Sequence, residues 1–205
     1  MNNKYLFFKY SCDFIFALII LIILSPLFLI ISSLILFLDG KPVIFSQSRI
    51  GLNKKIFNFY KFRTMHNRNV NDKNYYTKKG DKRITKLGRI LRKYSLDELP
   101  QLINILLGDM TFIGPRPPVF DELDFENLTP DDKDKLGFRF YCRPGISGKA
   151  QVLGRNANDW SEKIKLDYKY INLLEKNFIM CFMTDIFLVI LTIKEILFTS
   201  GEYDK

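Results

Sequence analysis

From Phe14 to Leu38 the chain carries no charged side chain, and Asp13 and Asp39 bound the run. As one straight helix this segment would be about 37 Å long, enough to cross the hydrocarbon core of a bilayer. It is too long for the apolar part of a signal peptide, and Asp13 separates it from the basic start at Lys4 and Lys9. A buried helix of a soluble core is the bland reading, and the length argues against it. Ser25-Pro26 falls in the middle of the run. Proline donates no backbone hydrogen bond and clashes with the carbonyl four residues back, so a kink or break is expected there. Two topologies follow: a kinked spanning helix, or a helix–break–helix hairpin that enters and leaves on one face. Spanning helices tolerate proline, so Pro26 alone does not choose. Lys4 and Lys9 precede the run, and Lys41, Arg49, Lys54 and Lys55 follow it. Positive charge on both flanks favours a cytoplasmic position for both.

The rest of the chain is strongly basic in one region. Between Arg49 and Lys93 there are fifteen Lys and Arg against two acidic residues, within a net charge of +9. A field this one-sided suits anionic partners: lipid headgroups, nucleotide phosphates or nucleic acid. No nucleic-acid-binding module is visible, so nucleic acid is not expected as a partner. Cys12, Cys142 and Cys181 are odd in number and not spaced for metal. Cys12 and Cys181 read as small buried hydrophobes in a reducing compartment. With His66 the only histidine, a His/Cys zinc site is nearly excluded.

Elements can be placed coarsely. Pro42–Gln47 and Ile56–Phe62 read as short strands with Gly51 at a turn. Asn67–Gly80 reads as a polar loop. Thr85–Tyr94 is a helix, with Leu87, Ile90 and Leu91 at helical spacing. Leu99–Leu107 is a second helix, closed by Gly108. Asp121–Asp134 is an acidic loop with a short helix, and Tyr141–Asn156 is turn-rich. Trp160–Glu175 is a helix. Phe178–Phe198 is very apolar but holds Asp185, Lys194 and Glu195, so it is expected to lie on a membrane or pack on the core rather than span.

The segment Ser95–Pro117 concentrates the chemistry. Asp97 and Glu98 are adjacent acids at the start of a predicted helix. Ser95 through Glu98 matches a capping box, and Pro100 is an alternative first helical residue. Either way the helix dipole favours an ionised Asp97. Such a carboxylate can attack phosphorus, and two acids with phosphates can hold Mg²⁺. Simple capping is the competing explanation. In Gly114-Pro115-Arg116-Pro117 two prolines stiffen the backbone around one arginine, which suits rigid recognition of phosphate. The competing explanation there is an ordinary turn. Arg92 precedes the acids by five residues, and Lys61 and Arg63 add cations beside aromatic residues. All four cations are candidate phosphate ligands.

Taken together, a set of runs carries a resemblance: Phe45 through Gly51, Tyr60 through Met65, Ser95 through Leu102, Gly108-Asp109-Met110, Gly114 through Pro117, Pro144 through Gly148, Ala150-Gln151-Val152 and Gly154-Arg155-Asn156. In this order the chain resembles the bacterial sugar transferase family, the small monotopic phosphoglycosyl transferases. Lys149 stands where the family pattern has tryptophan, and Ile50 where proline is common. The resemblance implies transfer of a sugar phosphate from a UDP-sugar to polyprenyl (undecaprenyl) phosphate, with release of UMP. It implies Asp97 as the nucleophile forming a covalent intermediate, Glu98 as the Mg²⁺ ligand, and Arg92 and Arg116 as phosphate ligands. It also matches Ser25-Pro26 to the family's membrane break, favouring the hairpin. The fold class expected is α/β and mostly helical, a monotopic membrane-associated domain with a re-entrant N-terminal helix and amphipathic interface helices. Residues 1–40 would be the anchor and 41–205 the catalytic domain. Its place would be the cytoplasmic face of the bacterial inner membrane, with the lipids there and later glycosyltransferases of the pathway as partners. The alternative is a catalytically inactive membrane adaptor in a glycan-assembly complex.

Overall fold

The computed structural model describes residues 1–66, 81–119, 129–153 and 160–198. The polar stretch 67–80, the first eight residues of the acidic stretch (121–128) and the Gly154-Arg155-Asn156 run lie outside the described residues.

The apolar segment is two helices, α1 (Asn3–Ile23) and α2 (Ser25–Leu38), broken at Leu24. Pro26 cannot donate to the carbonyl of Ile22, four residues back. The Ser25 hydroxyl donates to that carbonyl instead, at 2.8 Å. Pro26 thus sits in the first turn of α2, where its missing N–H is tolerated. Both arms then pack on one body. Ala17, Ile20 and Leu21 of α1 meet Phe57, Leu102, Ile105 and Met110. Ile31 and Ile35 of α2 meet Phe62 and Leu91. A single straight helix from Asn3 to Leu38 would be about 54 Å long and could not bring both ends to one small domain. By length and composition α1 is able to cross a membrane, and α2, with 14 residues, is shorter.

Strands β1 (Ile44–Ile50) and β2 (Ile56–Phe62) form an antiparallel hairpin, Ile44 opposite Phe62 and Ile50 opposite Ile56. The strand alternation of β2 buries Phe57 and Phe59. Helix α3 (Lys86–Lys93) is capped by Thr85, whose Oγ1 accepts from the Gly88 N–H at 2.8 Å. Gly88 lies so close to the backbone after β2 that a Cβ there would fall 2.2 Å from the Thr64 carbonyl oxygen. A 3₁₀ turn (Leu96–Glu98) and α4 (Gln101–Leu106) follow.

Strand β3 (Thr111–Ile113) runs parallel to β4 (Gly145–Ser147). Here too glycine permits contact of backbones: a Cβ on Gly145 would lie 2.1 Å from the Gly114 nitrogen. Helices α5 (Pro130–Phe138), α6 (Lys149–Leu153), α7 (Trp160–Leu173) and α8 (Phe178–Phe198) complete a mostly helical α/β domain. The stretch read as turn-rich therefore holds β4 and α6, each too short to display a period.

The main core joins the start of the chain to its end. Tyr5 packs with Ile113, Cys142, Tyr170, Leu174 and Leu188. At its centre Asp185 of α8 accepts from Tyr5 and Lys9 at 2.5 Å each, and from Tyr170 at 2.8 Å. The acid that argued against a second span is thus turned inward and paired. The opposite face of α8 leaves Phe187, Ile190 and Ile193 exposed, and α1 and α2 expose Phe7, Ile22, Ile23 and Leu29. These helices are faced for a bilayer on one side and for the core on the other. Cys142 and Cys181 are buried free thiols, whereas Cys12, read as buried, is only half-buried.

Candidate active site

The two acids are positioned by a turn, not by a capping box. Ser95 has φ 54°, in the left-handed region, and makes no capping hydrogen bond. Its backbone reverses the chain between α3 and the 3₁₀ turn, bringing Asp97 and Glu98 back toward β2. Lys61, on β2, meets them there. Its Nζ lies 2.5 Å from Glu98 Oε1 and 3.8 Å from Asp97 Oδ2. Phe59, two residues earlier on the same strand, places its ring 5.5 Å from the same Nζ.

The environment separates the two carboxyls. Burial opposes the charge on Glu98, but Lys61 and Arg116, with a hydrogen bond from Lys61, outweigh it and hold the carboxyl at about 2. Asp97, 7% exposed, moves the other way: burial and the adjacent Glu98 raise it above the ordinary carboxylate range, against Lys61 and Arg92. This corrects the dipole argument. α4 starts only at Gln101, so Asp97 does not sit on its N-terminal turn, and burial dominates.

Arg116 is held in an unusual way. Four consecutive carbonyls of its loop are each bonded: Pro115 by the Gly145 N–H at 3.0 Å, Arg116 by Arg139 Nη2 at 2.8 Å, Pro117 by Arg49 Nη1 at 2.6 Å, and Pro118 by the Ile50 N–H at 3.2 Å. The backbone is clamped while the Arg116 side chain is exposed. A cavity of about 1370 Å³ opens beside it, lined by Glu98, Arg116, Lys93 and Ser95 and by residues of α1 and α8, both apolar, such as Phe16 and Ile186, and charged, such as Lys9 and Asp185. Glu98 lines this cavity; Asp97 lies next to it and is not on the wall.

The remaining candidates divide. Arg92 acts electrostatically on Asp97, and its Nε donates to Thr64 Oγ1 at 2.8 Å. Arg63 has a different employment: its two Nη atoms donate to the carbonyls of Asp39, Gly40 and Lys41, at 2.5–2.8 Å. Buried there, it bonds the C-cap carbonyl of α2 and the two carbonyls that follow it. Sequence reasoning missed the roles of Arg49 and Arg139, which donate to the carbonyls of Pro117 and Arg116. Charge alone does not reveal whether an arginine meets a ligand or a carbonyl.

No group of three or more His, Cys, Asp or Glu able to hold a metal occurs among the described residues. Two adjacent hard carboxylates, one held ionised at the cavity wall, still fit Mg²⁺, which commonly takes one or two carboxylates and completes its shell with phosphates and water.

Comparison with known proteins gives a consistent picture. A family model described as bacterial sugar transferase matches residues 4–199. An uncharacterized sugar transferase, EpsL, of Bacillus subtilis is 40% identical, covering 79% of this chain and 73% of its own length. The UDP-N-acetylgalactosamine-undecaprenyl-phosphate N-acetylgalactosaminephosphotransferase of Aeromonas hydrophila is 37% identical over 96% of this chain and 45% of its own. The galactosyl transferase CpsE of Streptococcus agalactiae is 41% identical over 80% of this chain and 36% of its own. The chain thus spans less than half the length of these last two relatives.

Proposed function

This chain belongs to the bacterial sugar transferase family, and we propose that it moves a sugar phosphate from a UDP-sugar to undecaprenyl phosphate, releasing UMP, in the first membrane step of a bacterial glycan or glycoconjugate. The names of relatives supply the acceptor and the reaction class. The observation that carries the reading is the Lys61–Glu98–Asp97 cluster beside a cavity whose other polar wall holds Arg116.

The donor's diphosphate enters beside Arg116 and Glu98. Arg116, on its clamped loop, and Arg92 and Lys61 neutralise its oxygens. Glu98 and the donor's phosphates would hold Mg²⁺, which supplies further neutralisation of charge. The ionised Asp97 oxygen attacks the phosphorus that bears the sugar; the bond from that phosphorus to the UMP oxygen breaks, and UMP leaves. A phosphate oxygen of the polyprenyl phosphate then attacks the same phosphorus, the Asp97–phosphorus bond breaks, and the carboxylate is regenerated. Apolar side chains of α1 and α8 line part of the cavity, and both helices expose other apolar side chains, consistent with an acceptor that arrives from the lipid. Arg63 is left out of this account, because its donors are engaged elsewhere.

The reading places the domain on the cytoplasmic face of the inner membrane, where nucleotide sugars are made, with later glycosyltransferases as recipients of its product. Its test is a screen of UDP-sugars with undecaprenyl phosphate and Mg²⁺, following UMP. Release with one donor and none from Asp97→Asn supports it. An inactive adaptor would release UMP with none.

A further inference from the structure

Arg139 and Asp167 form the most deeply buried ion pair among the described residues: Arg139 Nε lies 2.9 Å from Asp167 Oδ2, and the side chains are 3% and 1% exposed. They come from different elements, a 3₁₀ turn (Arg139–Tyr141) and α7. Trp160 covers the guanidinium, its ring centre 5.6 Å from Arg139 Cζ. Removing two charges from water is expensive, and apolar side chains hold helices together as well or better. The one contact here that an apolar pair could not make is the bond from Arg139 Nη2 to the carbonyl of Arg116, at 2.8 Å.

That carbonyl is a sensitive place. It belongs to the peptide between Arg116 and Pro117, so its direction fixes ψ of Arg116 and, through the backbone, the direction of the side chain. Pro117 restricts ψ to the extended region without selecting one value within it. Neighbouring carbonyls are bonded by the Gly145 N–H and by Arg49, so the peptide at Arg116 is the one whose orientation Arg139 decides. The charge of Arg116 in turn acts on Glu98 at the cavity wall.

We propose that Asp167 and Arg139 are positioning residues for Arg116: Asp167 fixes the Arg139 fork, and the fork fixes the Arg116 backbone so that its guanidinium faces the donor's diphosphate. This rests on the reading of Arg116 as a diphosphate ligand. Asp167 is not on the cavity wall, and Arg139, which lines it, reaches Arg116 through the carbonyl bond.

A double-mutant cycle tests the coupling in the full chain, purified in detergent, with UDP as the probe in calorimetry. The variants are Arg139→Lys, Asp167→Asn, Arg116→Ala and the two doubles with Arg116→Ala. Lysine keeps a cation for Asp167 but lacks the planar fork that also reaches a carbonyl. Arg139→Lys and Asp167→Asn are each expected to weaken UDP binding about 5- to 10-fold, and in the Arg116→Ala background less than about 2-fold, the non-additivity of residues acting through one another. Their effects on Tm should instead be alike in both backgrounds, as for a stability term independent of Arg116. Equal weakening of UDP binding with and without Arg116 would overturn the proposal, since the pair would then be structural only. So would full UDP affinity in Arg139→Lys, the variant that decides the matter if Asp167→Asn fails to fold. Unchanged UDP affinity in Arg116→Ala would instead refute the ligand reading of Arg116 itself, and this proposal with it.

Discussion

Asp97 and Glu98 are chain neighbours, yet their carboxyls shift in opposite directions: burial raises both, and Lys61, bonded directly to Glu98 but 3.8 Å from Asp97, helps to outweigh it only for Glu98. The consequence for activity has a definite sign. Attack needs ionised Asp97, so kcat/KM should rise with pH through an acid limb displaced above the ordinary carboxylate range. Lys61→Met removes the main cation opposing that displacement and should move the limb higher still; a limb that stays in place, or moves down, contradicts the arrangement. Stability has the reverse sign. A carboxyl raised in the folded state binds its proton more tightly there, so ionising it costs stability as pH rises through the window between its unfolded and folded values. Asp97→Asn should therefore raise Tm at neutral pH while lowering turnover by at least about a thousandfold, as expected where a functional site is built at the expense of stability. For Glu98, a neutral amide is a poorer ligand for a hard cation, and Glu98→Gln should raise the Mg²⁺ concentration for half-activity by at least about 10-fold. Unaltered metal dependence would remove Glu98 from that role.

Among the elements, the hinge at Leu24 and the contact at Gly88 decide how the site is built. Replacing Ser25 with Leu and Pro26 with Ala restores an unbroken backbone ladder and should shift molecules toward one spanning helix. A cysteine at Asn3, in a background without native cysteines, then reports topology: an impermeant thiol reagent outside spheroplasts should miss it in the hairpin and label it in the double variant. Labelling with Ser25 and Pro26 intact, at the level of a periplasmic marker, contradicts the hairpin. Gly88→Ala drives a methyl against the Thr64 carbonyl, which is backbone and cannot give way easily; a loss of about 1–3 kcal/mol follows from overpacking, read as a lower denaturant midpoint. The hairpin of strands, the break and the long helices were legible in the sequence because proline, glycine and apolar period act locally. The β3–β4 pair was not: each strand has three residues, and its partner lies more than thirty positions away. Nor was the division of labour among arginines. Arg49, Arg63, Arg116 and Arg139 look alike in sequence, and only the fold decides which of them meet carbonyls.

At the scale of the molecule, the first forty residues share core clusters with the rest of the chain. Tyr5 and Lys9 of α1 enter the same buried polar cluster as Tyr170 and Asp185, and the Asn2 N–H donates to the Leu174 carbonyl at 2.8 Å. The helices with exposed apolar faces are therefore part of the body that carries the site. A donor from water and an acceptor from lipid can then meet at one phosphorus, provided the enzyme carries the sugar phosphate between them. That covalent relay on Asp97 is the central claim, and its most direct measurement uses UDP-sugar labelled in the sugar-bearing phosphate, incubated with the full chain and Mg²⁺ without acceptor, then denatured and digested. The account predicts label on the peptide containing Asp97, one UMP released per labelled chain, and discharge on adding undecaprenyl phosphate. Turnover with no labelled protein, or equal labelling of Asp97→Asn, would contradict it.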